Sequence, residues 1–145
     1  MTIIDVAIIG GGASGTTTAF HLATKNKNVC ILEKNISSPE RICGGGMSAA
    51  VQNWFPFKLQ PIVDEIITNV EFSWCNTDKV VAELSGSSTF WIVKREKLDS
   101  FLLEQALNNG CNLLTTFNVV NVQKNSNIWQ ITALDGRQIA AKAVV

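Results

Sequence analysis

An excess of charge of one sign and long apolar runs are both missing from this sequence of 145 residues. Lys and Arg together number 12, and Asp and Glu also number 12. This balance gives no electrostatic reason to expect binding to nucleic acid. The apolar run near the N-terminus, VAII, is too short for a signal peptide or a membrane span. A cytoplasmic location is therefore expected.

Histidine and closely spaced cysteines are also scarce. The chain has one histidine and four cysteines, and no two cysteines form a CxxC pair. This argues against a structural zinc site, and no metal is predicted. The thiols are expected to be reduced. Cys30, Cys75 and Cys111 are expected to pack as small apolar residues of the core.

Residues 3–33 read as one βαβ unit. The stretch IIDVAII is β-branched and almost continuously apolar, which is typical of a strand buried on both faces. After a glycine-rich loop, Ala19, Leu22 and Ala23 recur at helical spacing. A second apolar run at residues 29–32 follows the helix. The pattern predicts two parallel strands joined by a right-handed crossover.

A nucleotide-binding fingerprint lies inside this unit. Gly10, Gly12 and Gly15 form G-x-G-x-x-G between strand and helix, and Glu33 ends the second strand. The three glycines permit a tight turn, the approach of backbone to a pyrophosphate, and close packing of helix on strand. The helix N-terminus favours the phosphates. Glu33 would accept hydrogen bonds from a ribose diol and repel a 2′-phosphate, which disfavours NADP.

The remainder of the chain distinguishes between NAD and FAD. Residues 46–55 predict a short helix near Ser48, and residues 94–110 predict a long helix that ends at Gly110. Strands with the turn-like links NTD and SGS, which indicate antiparallel connections, are expected at residues 70–75, 80–84 and 89–93. Four more strands follow the long helix, with Asp-Gly in LDGR as a hairpin turn. An NAD domain typically continues with further βα units, so this layout favours a flavin fold.

Four stretches together resemble a known family. DVAIIGGGASGTTTAFHLA, VCILEK, RICGGGMS and FWIVKREKLDSFLLEQA are similar to the N-terminal part of the flavoprotein monooxygenase and geranylgeranyl reductase superfamily. The resemblance covers essentially the whole chain, and CGGG points to the reductase branch. It implies an α/β fold with a Rossmann-like βαβ FAD-binding domain, a parallel sheet, and antiparallel strands of a partial substrate sheet and a β-meander. Residues 1–145 would be the N-terminal part of an FAD/NAD(P)-binding domain, with residues 55–93 resembling the start of a substrate-domain insertion.

The resemblance also implies roles for individual residues, with FAD as the cofactor. Arg95 would approach the FAD, Arg41 would lie near its phosphates, and the backbone of Val119 and Val120 would lie by the adenine. Cys43 would lie by the flavin, or is a small loop residue without a redox role. No catalytic residue can be named. The candidate cofactor-binding residues are Gly10, Gly12, Ala13, Ser14, Gly15, Glu33, Lys34, Arg41, Cys43, Gly44, Gly45, Arg95, Val119 and Val120.

The implied reaction is hydride transfer from reduced FAD to an isoprenoid-type double bond in a small apolar substrate. A flavin-dependent aromatic monooxygenase is the alternative enzyme. Family members carry a further Gly-Asp motif beyond a strand like AAKAVV, and this sequence ends before it. We therefore expect a truncated chain, and a third hypothesis is a non-catalytic nucleotide-binding fragment that needs a separate C-terminal chain. Whether this chain alone is active, and whether it contacts a membrane peripherally, stays open.

Overall fold

The computed structural model describes residues 3–35 and 43–145. The two α-helices in these ranges are α1 (Ala13–Ala23) and α2 (Arg95–Asn108). The strands are β1 (Ile3–Ile9), β2 (Val29–Leu32), β3 (Gly46–Ser48), β4 (Val63–Ile67), β5 (Asn69–Trp74), β6 (Asp78–Glu83), β7 (Phe90–Val93), β8 (Asn112–Leu114), β9 (Val119–Asn125), β10 (Ile128–Ala133) and β11 (Gln138–Val144). Within the same ranges, neither α-helix has the length and apolar character that a bilayer-crossing helix needs.

The described residues divide into two compact units. The first comprises residues 3–35 and 99–145, and the second comprises residues 43–98. The boundary lies inside α2, so Arg95 belongs to the second unit, whereas most of the helix belongs to the first. The glycine fingerprint lies in the first unit, and the segment predicted as an insertion, residues 55–93, lies in the second.

A six-stranded sheet organises the first unit, in the order β8-β2-β1-β11-β10-β9. The first four strands run parallel to one another, and β10 and β9 continue the sheet in antiparallel pairing. The bounds of β1 and β2 agree with the apolar runs that predicted them. The Rossmann-like βαβ unit and the antiparallel strands of the second half are therefore confirmed.

The core of the first unit follows from the apolar pattern. All four residues of β2 are buried, and β1 is buried at its centre, at Ala7 and Ile8. The ends of β1 are more accessible than predicted, since Ile3 is 46% and Ile9 43% exposed. Phe117, which belongs to no helix or strand, is buried in the same cluster as Ala7. The centre of β1 is therefore buried, whereas its two ends are accessible to solvent.

Two glycines of this unit lie where the sequence predicted them, one after α2 and one in the β10–β11 turn. Gly110 has φ +91° just after α2, a left-handed conformation that ends helices. Gly136 has φ +86° in the turn between β10 and β11. The N–H of Ala133 donates to the C=O of Arg137, and the N–H of Gly136 donates to the C=O of Ala133. This is a three-residue hairpin loop with a glycine in the left-handed position.

The second unit departs from the predicted strand pairing. Its three-stranded sheet has the order β3-β7-β4, while β5 and β6 form a separate antiparallel ribbon. The prediction that SGS joins β6 to β7 as an antiparallel pair is wrong, because a 3-10 turn at Gly86–Ser88 separates them. Strand β4 was not predicted. The pairing follows burial: Trp91 and Val93 of β7 are buried, so β7 takes the central position.

Two local predictions for this unit need correction. The short helix expected near Ser48 is a 3-10 helix, Ala49–Trp54, preceded by β3 and capped by the Ser48 hydroxyl, which accepts from the N–H of Ala50. Cys30 and Cys111 are buried as expected, but Cys75 is exposed. Cys75 lies in the turn between β5 and β6, where it has φ +50° and is accessible to solvent.

Candidate functional site

The carboxyl ends of the parallel strands form one edge of the first unit's sheet. The N–H of Gly10 donates to the C=O of Leu32 at 2.9 Å, which joins the ends of β1 and β2. The N–H of Glu33 donates to the C=O of Leu114 at 2.9 Å, which joins the ends of β2 and β8. Open α/β sheets bind ligands at this edge, where the strand order reverses. Here the reversal lies at β1, which has β2 on one side and β11 on the other.

The glycine loop after β1 has the close approaches that its spacing predicted. Gly10 has φ +105°, a conformation that favours glycine. A Cβ atom at Gly15 would lie 2.0 Å from the carbonyl oxygen of Gly10 and 3.2 Å from Cγ2 of Ile8. Only glycine therefore allows α1 to begin this close to β1.

The N-terminus of α1 suits an anion. Gly12 occupies the N-cap position in an extended conformation, and no side chain caps the helix within the described residues. The first turn carries no acidic residue. Ala13 and Ser14, both predicted to bind the cofactor, are the first residues of this turn. The positive end of the helix dipole is therefore not neutralised by a neighbouring side-chain carboxylate of the first turn.

Glu33 faces this loop with its carboxylate held by backbone. Oε2 accepts a hydrogen bond from the N–H of Gly11 at 2.6 Å, and Oε1 accepts from the N–H of Asn35 at 2.9 Å. A Cβ atom at position 11 would lie 3.3 Å from Oε2, so glycine there leaves room for the carboxylate. Each carboxylate oxygen keeps a further lone pair that can accept from a ribose hydroxyl. Lys34 follows directly and is exposed.

The segment between β8 and β9 is hydrogen-bonded to the Glu33 backbone. The N–H of Phe117 donates to the C=O of Glu33 at 2.9 Å. Val119 and Val120, which were expected beside an adenine, follow two and three residues later at the start of β9. Val119 is half-buried and pairs with Ala133, and Val120 is 55% exposed. The segment that carries both valines therefore begins next to a residue that is hydrogen-bonded to the Glu33 backbone.

The second unit brings another group of predicted residues together. Sγ of Cys43 accepts from the N–H of Gly45 at 3.4 Å and from Nη1 of Arg95 at 3.8 Å. Gly45 has φ +72°, and a Cβ atom there would lie 2.1 Å from the carbonyl oxygen of Val93. Nothing lies within 4 Å of a Cβ atom added at Gly44. The CGGG run is thus packed by its glycine backbone onto the end of β7, next to the start of α2.

One predicted cofactor-binding residue lies outside the described part of the chain, and four residues near the two groups were not predicted from sequence. Arg41 lies outside the described residues. Thr116, Phe117 and Arg137 adjoin the Glu33 edge and were not predicted, because none belongs to a spacing motif. Asp99, the last residue of the R-x-x-L-D step, is buried and was not named as a candidate.

The groups at the first unit's edge fit the ADP part of a dinucleotide. The loop is built so tightly that side chains at positions 11 and 15 would meet neighbouring atoms. The helix N-terminus suits a pyrophosphate, and the oriented carboxylate suits a ribose diol. The same carboxylate disfavours a 2′-phosphate.

Comparisons with known proteins agree with this chemistry. A family model described as FAD dependent oxidoreductase matches residues 5–145. Protein FixC of Escherichia coli strain K12 is 30% identical over 158 residues, which cover 99% of this chain and 36% of the relative. An uncharacterized protein of Methanosarcina barkeri is 29% identical over 119 residues, which cover 81% of this chain and 30% of the relative. The chain spans about a third of the length of these relatives.

Solved structures show the same fold. A geranylgeranyl bacteriochlorophyll reductase-like protein of Thermoplasma acidophilum superposes with a TM-score of 0.79 at 20% identity, covering 99% of this chain and 38% of that one. The halogenase PltM in complex with phloroglucinol and FAD superposes with a TM-score of 0.78 at 20% identity, covering 97% and 33%. With the family model matching nearly the whole sequence, this chain belongs to the family of FAD dependent oxidoreductases, whose cofactor is FAD.

Proposed function

We propose that the carboxyl edge of the first unit binds the adenosine diphosphate part of FAD. The observation that carries the proposal is the Glu33 carboxylate, fixed by the N–H groups of Gly11 and Asn35 beside the glycine loop. Backbone N–H groups of Gly12, Ala13 and the following residues would bind the pyrophosphate. Glu33 would accept hydrogen bonds from the ribose hydroxyls.

The adenine and the flavin end have further candidates. The backbone at Val119 and Val120 would lie along the adenine, since their segment begins against Glu33. Cys43, Gly44, Gly45 and Arg95 would serve the flavin or its ribityl chain, and Lys34 and Arg41 the phosphates. Arg95 already points its guanidinium at Cys43, which gives this group a positive charge beside exposed backbone.

When bound, FAD supplies the redox chemistry by accepting and donating a hydride. The chain's own residues bind and orient it: the glycine loop admits the backbone, and Glu33 selects a ribose without a 2′-phosphate. Because the flavin itself carries out the redox step, the chemistry does not depend on an acid-base pair of the protein.

For the whole reaction we propose hydride transfer to an isoprenoid-type double bond of a small apolar substrate. The CGGG run and the shared fold with the reductase-like protein support this choice. A flavin monooxygenase acting on an aromatic substrate is the rival, and the shared fold with the halogenase PltM supports it equally. NADPH-driven oxygen consumption in the presence of an aromatic substrate would favour the rival over the reductase.

A nucleotide-binding module that works with a further polypeptide is a second candidate function. The β5–β6 ribbon favours it, because one face carries Phe72, Trp74 and Val80, which are 60%, 75% and 64% exposed. Phe72 pairs with Val80 across the ribbon, so these apolar side chains form one surface. An FAD-loaded chain that gains reductase activity only on addition of a polypeptide with a Gly-Asp segment would support this candidate.

The proposed cofactor site is tested by titrating the purified chain with FAD and following flavin fluorescence. We expect saturable binding that ADP competes away, with NADPH competing far more weakly because of Glu33. Gly12→Val should abolish binding, because a side chain there blocks backbone approach to the pyrophosphate. Ser73→Val is the control, since it introduces the same side chain at an exposed position of β5 that belongs to neither group of proposed FAD-binding residues. A wild-type chain that takes up no FAD would overturn the proposal.

A further inference from the structure

The turn between β10 and β11 carries an arginine with an unusual number of partners. The Asp135 carboxylate accepts hydrogen bonds from the backbone N–H of Arg137 at 3.1 Å and from its Nε at 2.7 Å. These interactions, the backbone hydrogen bond foremost, lower the pKa of Asp135. The guanidinium is thereby fixed on one side and directs its other nitrogens out of the turn.

The free end of this guanidinium reaches the segment before β9. Nη2 of Arg137 donates to the C=O of Thr116 at 2.5 Å and lies 3.5 Å from its hydroxyl. The guanidinium carbon also lies 5.0 Å from the ring centre of Phe117, a cation–π distance. Arg137 therefore contacts two successive residues that lie 21 and 20 positions earlier in the chain.

Thr116 needs such support because of its backbone. It has φ +53°, a conformation that β-branched residues rarely adopt. Strained residues of this kind persist where surrounding contacts determine them, and they concentrate at functional sites. The hydrogen bond from Arg137 to the Thr116 carbonyl is such a contact.

The strained residue lies within the loop that encloses the Glu33 backbone. Glu33 donates its N–H to the C=O of Leu114 and accepts at its C=O from the N–H of Phe117, both at 2.9 Å. Thr116 lies between these two anchor points. The two hydrogen bonds of the Glu33 main chain therefore flank the residue whose carbonyl oxygen Arg137 contacts.

We propose that Arg137 is a positioning residue for the adenosine half of FAD, acting through Thr116 and Phe117 on Glu33. The inference rests on the proposed function of Glu33 as the ribose ligand. An ordinary exposed ion pair with Asp135 would contribute little to stability or binding. The forked guanidinium differs because Nε and Nη2 bond to two separate segments at once, a geometry that lysine cannot reproduce.

The test compares Arg137→Lys and Arg137→Ala with Lys142→Ala. Lys142 lies on the same strand, β11, and forms an exposed ion pair with Asp5 at 2.7 Å, so it controls for loss of a surface cation. We expect both Arg137 variants to raise the Kd for FAD and for ADP by about tenfold, the value of one charge-assisted hydrogen bond. Lys142→Ala should leave both constants unchanged.

A second readout needs no cofactor. Amide hydrogen exchange of Phe117, whose N–H bonds to Glu33, should accelerate in both Arg137 variants and stay as in the wild type in Lys142→Ala. Arg137→Lys keeps a positive charge near Phe117. If Arg137→Ala does not fold, the comparison of Arg137→Lys with the wild type is sufficient for the test. Wild-type FAD and ADP affinity in a folded Arg137→Lys would overturn the positioning role alone. A wild-type chain that binds neither ligand would instead overturn the proposed function and this inference with it.

Discussion

Replacing Glu33 with glutamine tests the residue that links the glycine loop to the end of β2. Its carboxylate accepts hydrogen bonds from the N–H groups of Gly11 at 2.6 Å and Asn35 at 2.9 Å. A carboxamide has nearly the same size but a single acceptor oxygen. In Glu33→Gln, one of the two N–H groups therefore faces an NH2 donor and loses its partner.

The expected size of the effect follows from these contacts. A hydrogen bond to a charged group contributes about 1.5–3 kcal/mol. Since Glu33 is only half-buried, we expect the free energy of unfolding to fall by about 1.5 kcal/mol, which lowers Tm by roughly 3–6 °C in a chain of this size. The lost hydrogen bonds to the ribose are of the same kind, so the Kd for FAD should rise by about 10- to 100-fold.

Flavin fluorescence titration and thermal melts measure the two effects. Glu104→Gln is the matched control, because it removes the same charge from an exposed position on α2. The ratio of Kd values for 2′-phospho-ADP and ADP should also fall in Glu33→Gln, since the carboxylate no longer repels the phosphate. A folded Glu33→Gln chain with wild-type Kd for FAD and an unchanged ratio would refute the assignment of Glu33 to the ribose.

Three further predictions concern stability and reactivity. Gly45→Ala should lower Tm more than Gly46→Ala, because Gly45 has φ +72° and its Cβ atom would lie 2.1 Å from a backbone oxygen of β7; equal melts would contradict this. The hydrogen bond from Lys142 lowers the pKa of Asp5 below its ordinary value of 3.8, so this stabilisation is present above pH 3.8 and is lost as pH falls through the lower folded-state pKa. The Tm difference between wild type and Asp5→Asn should shrink in strongly acidic buffer, and a constant difference would contradict it. Burial raises the pKa of Cys111 to about 11, so mass spectrometry should detect its alkylation at neutral pH only after unfolding.

Much of the first unit could be predicted because its signals are local. The bounds of β1 and β2 follow from short apolar runs, and the glycine positions follow from the turn, phosphate and packing requirements of one loop. The tight approach of Gly15 to Gly10 is the packing that the spacing predicted. The role of these residues toward FAD stays a prediction that binding measurements have to test.

The remainder depends on contacts between distant residues. The partners of β7 could not be predicted from sequence, because several strands of similar composition could pair with it. Trp91 and Val93 of β7 are buried only in the folded unit, where β7 is central and pairs with β4. Arg137 and Thr116 lie 21 positions apart, and the LDGR signal that contains Arg137 predicts a turn but no contact with Thr116. A positive φ at a threonine contradicts local propensity, so only the surrounding contacts reveal it.

The contacts at Glu33 explain why nucleotide selection can be separate from the chemistry that follows it. Gly11, Asn35, Leu114 and Phe117, which hold the carboxylate and its backbone, all belong to the first unit. In the proposed site, discrimination against a 2′-phosphate would therefore need nothing from the second unit, which carries Cys43 and Arg95. Substitutions at Arg95 should consequently leave ADP affinity unchanged, while substitutions at Glu33 should weaken ADP and FAD by the same factor.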